Sequence, residues 1–302
     1  MRVKYAGIGF ADVMAVRGGY PLAPKRPFSP GYEFFGQVEK APDGYSLMPG
    51  TRVAGMLPRM AAYREEIDVD PRFVVAVPPE VSDEMAAALP LNYLTAYALM
   101  SRCVELRKGQ TFLIHGAAGG VGTAALEIAR VLGLRAFGTA SPAKHDLVRS
   151  LGGVPLHRQD DAWMDKLRQL QPEGVDAAFD SFGAASMGKS WKALAHQGTL
   201  VCYGLAPSAE GGTLDFVQGL VWLGWHKLLS RGRRVRICGT LKIVGADPTW
   251  FRASLTTILG WARDKAIRPL VSGIRPWNKV MEAHLELAQG HLQGKLLLDF
   301  SV

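Results

Sequence analysis

The chain has 302 residues, room for two domains of ordinary size, and 48% hydrophobic with 21% charged residues excludes a disordered or low-complexity protein. A net charge of +8 and a pI near 9.5 suit a phosphorylated ligand, nucleic acid or an anionic surface, and no nucleic-acid motif supports the second. Three widely spaced cysteines, Cys103, Cys202 and Cys238, with no C-x-x-C pair argue against a disulfide framework and against a structural zinc lobe, so a reducing, cytoplasmic compartment is the default expectation.

Up to about Asn92 the chain reads as short alternating runs broken by Pro30-Gly31, Pro42-Asp43-Gly44, Pro49-Gly50 and Pro78-Pro79, the texture of a compact β-rich domain. Strands and helices then alternate. Strand Thr111–His115 leads through a glycine-rich loop to a helix that ends at Gly133, and strand Arg135–Ala140 follows. A helix over 143–151, a strand over 154–157, an amphipathic helix with Trp163, Leu167 and Leu170, a strand over 175–182, a helix over 185–195 and a strand over 199–204 continue the pattern. After an apolar stretch at 214–229, a strand is predicted over 235–244, and the chain closes with a helix around 279–289 and a strand over 295–300. Such alternation predicts an α/β fold with a doubly wound, mostly parallel sheet. The divisions read from it are residues 1–91, 92–246 and 247–302, with the middle part inserted in the other domain if the last strand returns to the first part. Residues 1–10 carry no long apolar run and no stretch reaches the length of a membrane span, so a soluble protein is expected.

The loop Gly116-Ala117-Ala118-Gly119-Gly120-Val121-Gly122 carries the most chemistry. A pyrophosphate approaches a backbone closely only where side chains are absent, and the next helix offers unpaired N–H groups at its positive end. The pattern here is Ala117-x-Gly119-x-x-Gly122, with alanine in place of the usual first glycine. A turn that merely packs helix against strand is the alternative, and the complete strand, helix and second strand favour a dinucleotide clamp. At the end of the second strand, Gly138-Thr139-Ala140-Ser141 lacks the carboxylate that NAD sites use for the ribose hydroxyls, while Ser141 and Lys144 can meet a 2′-phosphate. NADPH is therefore the expected cofactor, although Lys144 taken alone reads equally as an exposed surface lysine.

The run Ala86-Ala87-Ala88-Leu89-Pro90-Leu91-Asn92-Tyr93-Leu94-Thr95-Ala96-Tyr97, then Lys108-Gly109 and His115 with the loop, resembles the medium-chain dehydrogenase/reductase superfamily, specifically its zinc-free quinone oxidoreductase or zeta-crystallin-like group. Phe10-Ala11-Asp12, Arg17-Gly18-Gly19-Tyr20-Pro21, Pro30-Gly31-Tyr32-Glu33, Gly50-Thr51-Arg52-Val53 and Gly294-Lys295 extend the match, and GTASPAKHDL with GVDAAFDSFG looks closest to the vesicle amine transport protein branch.

The resemblance implies a GroES-like substrate domain carrying a Rossmann-type cofactor domain as an insertion, and a homodimer. It implies a substrate domain shortened at its N-terminus, with unpaired sheet edges as the expected consequence. Zinc-bearing relatives ligate a catalytic metal from segments matched here by Gly9 and Tyr32, so no metal is expected. Without one, hydride addition to a quinone or an α,β-unsaturated carbonyl is favoured over alcohol chemistry, because the charge spreads through a conjugated system.

By the same resemblance the catalytic candidates are Tyr20, Asn92 and Thr95. Tyr20 would hydrogen-bond the substrate carbonyl or form an aromatic wall; Asn92 and Thr95 would face the nicotinamide and the substrate oxygen, or serve as caps and packing. The cofactor candidates are Ala117, Gly119, Gly120, Val121, Gly122, Ser141, Lys144, Ser181, Phe182, Tyr203, Gly204, Leu241 and Lys295. Gly9 replaces the family's asparagine before Phe-Ala-Asp, removing a polar side chain from the expected cleft. Two other readings stay open. One is an enoyl reductase acting on a biosynthetic acyl or polyketide substrate. The other is a vesicle-associated protein that binds lipid or protein through residues 222–236, where Trp222 and Trp225 precede Arg231, Arg233, Arg234 and Arg236; a lid or a subunit-interface helix is the alternative for that segment.

Overall fold

A computed structural model of the chain describes residues 1–20, 23–42, 44–158, 162–204, 224 and 232–302. The chain forms two compact units, one of Met1–Thr95 with Thr240–Val302 and the other of Ala96–Gly239.

The first unit opens with β1 (Arg2–Ile8), α1 (Phe10–Arg17), β2 (Glu33–Gln37), β3 (Arg52–Met56), β4 (Val74–Ala76) and α2 (Asp83–Ala88), and α3 (Pro90–Ala98) then carries the chain onward. The second unit holds β5 (Thr111–His115), α4 (Gly120–Leu132), β6 (Arg135–Ala140), α5 (His145–Ser150), β7 (Val154–His157) and α6 (Trp163–Leu170). It continues with β8 (Val175–Asp180), α7 (Ala184–Ala193), β9 (Leu194–Tyr203) and β10 (Arg234–Cys238). The chain returns to the first unit as α8 (Thr240–Ala246), α9 (Pro248–Arg263), β11 (Val271–Pro276), α10 (Val280–Ala288) and β12 (Lys295–Asp299).

In the first unit the sheet order is β11-β12-β1-β2-β3-β4, antiparallel except for the parallel pair β11–β12. The last strand lies against the first, with Tyr5 opposite Asp299 and Ile8 opposite Leu296. β1 therefore runs inside the sheet between β12 and β2, and the unpaired edge expected at the start of this domain is not found there. Its core gathers Val3, Phe34, Val53, Ile67 and Val74 under the sheet.

In the second unit all strand pairs are parallel, in the order β10-β9-β8-β5-β6-β7. β5 is buried along its whole length, as a central strand covered on both faces must be, which is why Thr111–His115 reads as a run without alternation. From β5 the chain winds outward through β6 and β7 on one side and through β8, β9 and β10 on the other. The order reverses between β5 and β8, and ligands of such sheets enter outside the C-terminal ends of the strands at that point. α4 follows β5 and buries Ala124, Ala125, Ile128 and Ala129 on the sheet. It ends where Gly133 turns left-handed at φ +66°.

One predicted element is corrected. The strand expected over 235–244 divides into β10 and α8. Val235 and Ile237 alternate as in a strand, but after Gly239 the buried residues are Thr240 and Val244, four apart, which is the spacing of a helix. The helix α9 carries its own start signals, Pro248 in its first turn and the Asp247 carboxylate accepting from Trp250 N at 3.0 Å.

Candidate functional site

The glycine-rich loop lies at the C-terminal end of β5, on the reversal of strand order. A side chain at Gly122 would collide with the Gly116 carbonyl and the Ala117 backbone, so the loop folds this tightly only with glycine there. The alanine that replaces the first fingerprint glycine has a local explanation as well. Its methyl group occupies the space that a Cβ on Gly138 of β6 would fill, so Ala117 fits because the neighbouring strand carries glycine beside it. Gly119 is extended at φ −83° and opens α4, whose first backbone N–H groups, those of Gly120, Val121 and Gly122, have no carbonyl inside the helix to pair with. Bare backbone, unpaired donors and a positive helix end fit a pyrophosphate.

Beneath the loop is a buried polar chain. Gly116 N–H reaches Thr139 Oγ1 at 3.4 Å, His115 Nδ1 lies 3.0 Å from the same oxygen, and His115 Nε2 lies 2.8 Å from Ser190 Oγ. The Ser190 hydroxyl donates to Asp180 Oδ2 at 2.6 Å. Because that hydroxyl has given its proton to Asp180, it accepts from His115 Nε2–H, which leaves Nδ1 to accept from Thr139. Burial lowers the His115 pKa against the pull of Asp180, in keeping with a neutral ring. The other oxygen of Asp180 accepts from Ser186 Oγ at 2.6 Å and from Phe182 N at 2.9 Å, so one carboxylate orients the turn after β8 while the chain orients the turn after β5.

The predicted cofactor residues of this unit fall around these two turns. Phe182 is 47% exposed, lies edge-on to His115, and stands 3.5 Å from where a Gly116 side chain would begin. Ser181 is brought into polar contact with Tyr203, whose buried phenol has its pKa raised by burial. Gly204 is exposed at φ +58° just past β9. At the end of β6, Ser141 starts a short 3-10 turn with its hydroxyl unused as a cap. Lys144 closes that turn, its pKa lowered first by burial and then by Arg158. Arg158 N donates to Ala140 O at 2.9 Å, so a second cation stands beside the first at the end of β6.

In the first unit, Tyr20 and Leu241 pack into one cluster with Tyr32, Met60 and Leu91, and the Tyr20 and Tyr32 hydroxyls are in polar contact. Asn92 and Thr95 are each 7% exposed on α3, and Thr95 Oγ1 donates back to Leu91 O at 2.7 Å. Lys295 is 3% exposed and forms an ion pair with the fully buried Glu33, so its ammonium is engaged inside the sheet rather than offered to a phosphate. Glu33 also accepts from Leu91 N at 2.7 Å, satisfying a donor in the first turn of α3. Asp12, fully buried, accepts from Gly9 N at 2.8 Å and Gly31 N at 3.0 Å. Burial raises its pKa to about 6 even though both hydrogen bonds and Lys295 oppose the rise. A side chain at Gly9 would begin 3.0 Å from Leu91 Cδ2 and 3.2 Å from Asp12 Oδ2, so a residue larger than glycine there needs these two side chains to shift by a few tenths of an ångström.

The profile of the alcohol dehydrogenase GroES-like domain matches residues 1–79, and that of the zinc-binding dehydrogenases matches residues 154–298. The rat synaptic vesicle membrane protein VAT-1 homolog is 31% identical over 99% of this chain and 76% of its own length. This chain belongs to the medium-chain dehydrogenase/reductase superfamily, in its quinone oxidoreductase-like group near the VAT-1 homologues. Mycobacterial Rv1454c, solved with NADPH, is 28% identical with a TM-score of 0.84 over 99% of this chain and 90% of that one. The Escherichia coli quinone oxidoreductase, also solved with NADPH, has the same fold at a TM-score of 0.87 and 24% identity, over 99% and 90% of the two chains.

Several residues of this medium-chain dehydrogenase/reductase site have no signal in the motif itself. Arg158 follows β7 and reaches the end of β6 only through strand pairing. Thr139, Asp180 and Ser190 join His115 from three other elements, and only His115, preceding the loop, could have been picked out from the motif. Of the segment 222–236, Trp222, Trp225 and Arg231 lie outside the described residues, as does Pro21 beside Tyr20. Arg233 of that segment caps α7, donating to Trp191 O at 3.0 Å and Leu194 O at 2.7 Å. Among the described residues no helix is long and apolar enough to cross a membrane.

Proposed function

We propose that this protein is an NADPH-dependent reductase that delivers hydride to a quinone or an α,β-unsaturated carbonyl without a catalytic metal. The observation that carries this reading is the end of β5 and β6: a bare loop at the reversal of strand order, with Ser141, Lys144 and Arg158 at the adjacent strand end. Gly119, Gly120, Val121 and Gly122 would hold the pyrophosphate through backbone N–H groups, with the Ala117 methyl turned toward β6. Ser141, Lys144 and Arg158 would meet the 2′-phosphate, because among the described residues of that strand end no carboxylate opposes it. Ser181, Phe182, Tyr203 and Gly204 would line the cofactor from the ends of β8 and β9. Bound NADPH would supply the hydride from its nicotinamide ring.

On the substrate side, Tyr20 would hydrogen-bond the acceptor oxygen, with the Tyr32 hydroxyl in contact behind it. Asn92 and Thr95 would face the nicotinamide from α3, and Leu241 would contribute an apolar wall beside Tyr20. The positions from which zinc-bearing relatives ligate metal hold Gly9 and Tyr32, neither a zinc ligand of the usual kind, so polarisation of the acceptor falls to hydrogen-bond donors. A homodimer in the cytoplasm is the proposed working form, with β10 as an edge strand whose Ile237 is 57% exposed. The reading is tested by following NADPH oxidation with a panel of ortho-quinones, enones and enoyl thioesters, with NADH in parallel. Consumption with quinones or enones supports it; bound NADPH with no turnover on any acceptor rejects it.

A further inference from the structure

The hydrogen-bonded chain under the glycine-rich loop joins the starts of two helices across the reversal of strand order. His115 ends β5 and Asp180 ends β8, neighbouring strands on the two sides of that reversal. From Thr139 the chain reaches Gly116 N, and the Gly116 carbonyl accepts from Gly119 N at 2.9 Å, which seats the first turn of α4. From Asp180 it reaches Phe182 N in the turn before α7 and Ser186 Oγ in the first turn of that helix. Ser190, one turn further along α7, closes the link to His115. Asp180 and Ser190 are fully buried, and Thr139 and His115 nearly so. Trp163 and Phe182 stand edge-on to the His115 ring, at 5.7 and 6.3 Å between ring centres.

Serine, histidine and aspartate together suggest a nucleophile, and the direction of the hydrogen bonds excludes it. In a nucleophilic triad the histidine draws the serine proton while the carboxylate holds the far side of the ring. Here the Ser190 proton goes to Asp180, and the serine lies between the other two, sealed from solvent. The order of the bonds suits a relay of positions instead. Ser190 accepts from the ring only if His115 carries its hydrogen on Nε2, and Thr139 donates to the ring only if Nδ1 is bare. The other tautomer leaves one hydrogen on Ser190 for two acceptors, Asp180 Oδ2 and His115 Nε2, in a site that water does not reach.

Resting on the cofactor reading above, we propose that His115 and Ser190 are positioning residues for the dinucleotide. Through the Nε2–H tautomer of the ring they hold the N–H donors of α4 at a fixed separation from the turn of Ser181 and Phe182. Both lie beneath these turns and act through Gly116 on one side and Asp180 on the other. The part of the ligand they serve, the pyrophosphate and its neighbouring riboses, is common to NADPH and NADH. Their loss therefore weakens both cofactors alike. Lys144 and Arg158 differ in this respect, because they would meet the 2′-phosphate that only NADPH carries.

The test measures NADPH and NADH dissociation constants by cofactor fluorescence in wild type, Ser190→Ala, His115→Ala and His115→Gln, with a urea titration of each. Ring-nitrogen NMR spectra of wild type report the His115 tautomer. Ser190→Ala should weaken both cofactors about tenfold in the folded protein, with their ratio unchanged. His115→Ala should lose at least as much, and His115→Gln, whose amide can still donate towards Ser190, should recover part of it. The wild-type ring should carry its hydrogen on Nε2, and its signals should shift when cofactor is added. A packing role alone would lower the unfolding midpoints and leave the constants of the folded variants unchanged. The proposal is overturned by constants within about twofold of wild type in folded Ser190→Ala, by a loss confined to NADPH, or by a ring protonated on Nδ1, a result that needs no variant to fold. Wild type that binds neither cofactor rejects the cofactor reading and the proposal together, whereas wild-type binding with unchanged variants rejects the proposal alone.

Discussion

Each unit of this protein buries a polar network, and the two are built on opposite principles. Under the glycine-rich loop, the chain from Thr139 through His115 and Ser190 to Asp180 is made of directional hydrogen bonds around a neutral imidazole, and it holds backbone turns in place. In the GroES-like unit, Glu33 and Lys295 compensate each other as charges inside a sheet, with Asp12 nearby holding Gly9 and Gly31. The first network is sensitive to the loss of any donor or acceptor, and the second to anything that leaves one charge alone. Positioning by hydrogen bonds gives a precise surface for a phosphate. Positioning by charges gives a rigid frame whose stability follows pH.

The contrast can be broken most sharply at the ion pair. Lys295→Met should leave Glu33 buried and unpaired and lower unfolding stability by about 3–5 kcal/mol in urea titrations. Lys295→Met combined with Glu33→Gln should cost less than the sum of the two, since the stranded charge is gone. A sum that adds fully would show that the pair is not the frame described. Next in size, Asp180→Ala strips the acceptor from Ser190, Ser186 and Phe182 N, for an expected loss of about 3 kcal/mol, with weakened cofactor binding by isothermal calorimetry.

At the end of β6, Lys144→Ala and Arg158→Ala should each weaken NADPH binding about tenfold and leave NADH binding within about twofold. Equal losses for the two cofactors would remove both residues from the 2′-phosphate site.

The smallest effect is the pH dependence of Asp12. Its folded-state pKa, raised by burial from the ordinary 3.8 to about 6, means that the folded chain keeps this proton longer than the unfolded chain does. Its contribution to stability is therefore full below about pH 4 and is lost as pH rises through about 6, with a slope of at most about 1.4 kcal/mol per pH unit. Asp12→Asn should flatten that part of the stability profile. An unchanged slope in the variant would assign the dependence to other groups.

What was legible from sequence follows the same division. The loop and its strand could be read because backbone geometry dictates glycine at fixed spacing, as at Gly122, and because β5 is apolar along its whole length. Even the missing glycine is explained locally once Gly138 is seen beside Ala117, but strand pairing is needed to see it. Lys295 stands among the cofactor candidates by resemblance alone, and β12 pairing with β1 carries its side chain into the sheet beside Glu33. Side chains that act through tertiary neighbours leave no local period to read.

The most direct test of the central claim is a titration of the protein with NADPH, followed by cofactor fluorescence, in wild type and in Gly119→Val. Gly119 has a backbone conformation open to any residue, and a Cβ there would begin 3.3 Å from the Gly116 carbonyl, so valine should block phosphate approach with the fold retained by circular dichroism. Saturable binding in wild type, weakened at least a hundredfold in the folded variant, is the predicted result. Equal affinity in the two proteins would contradict the assignment of the loop.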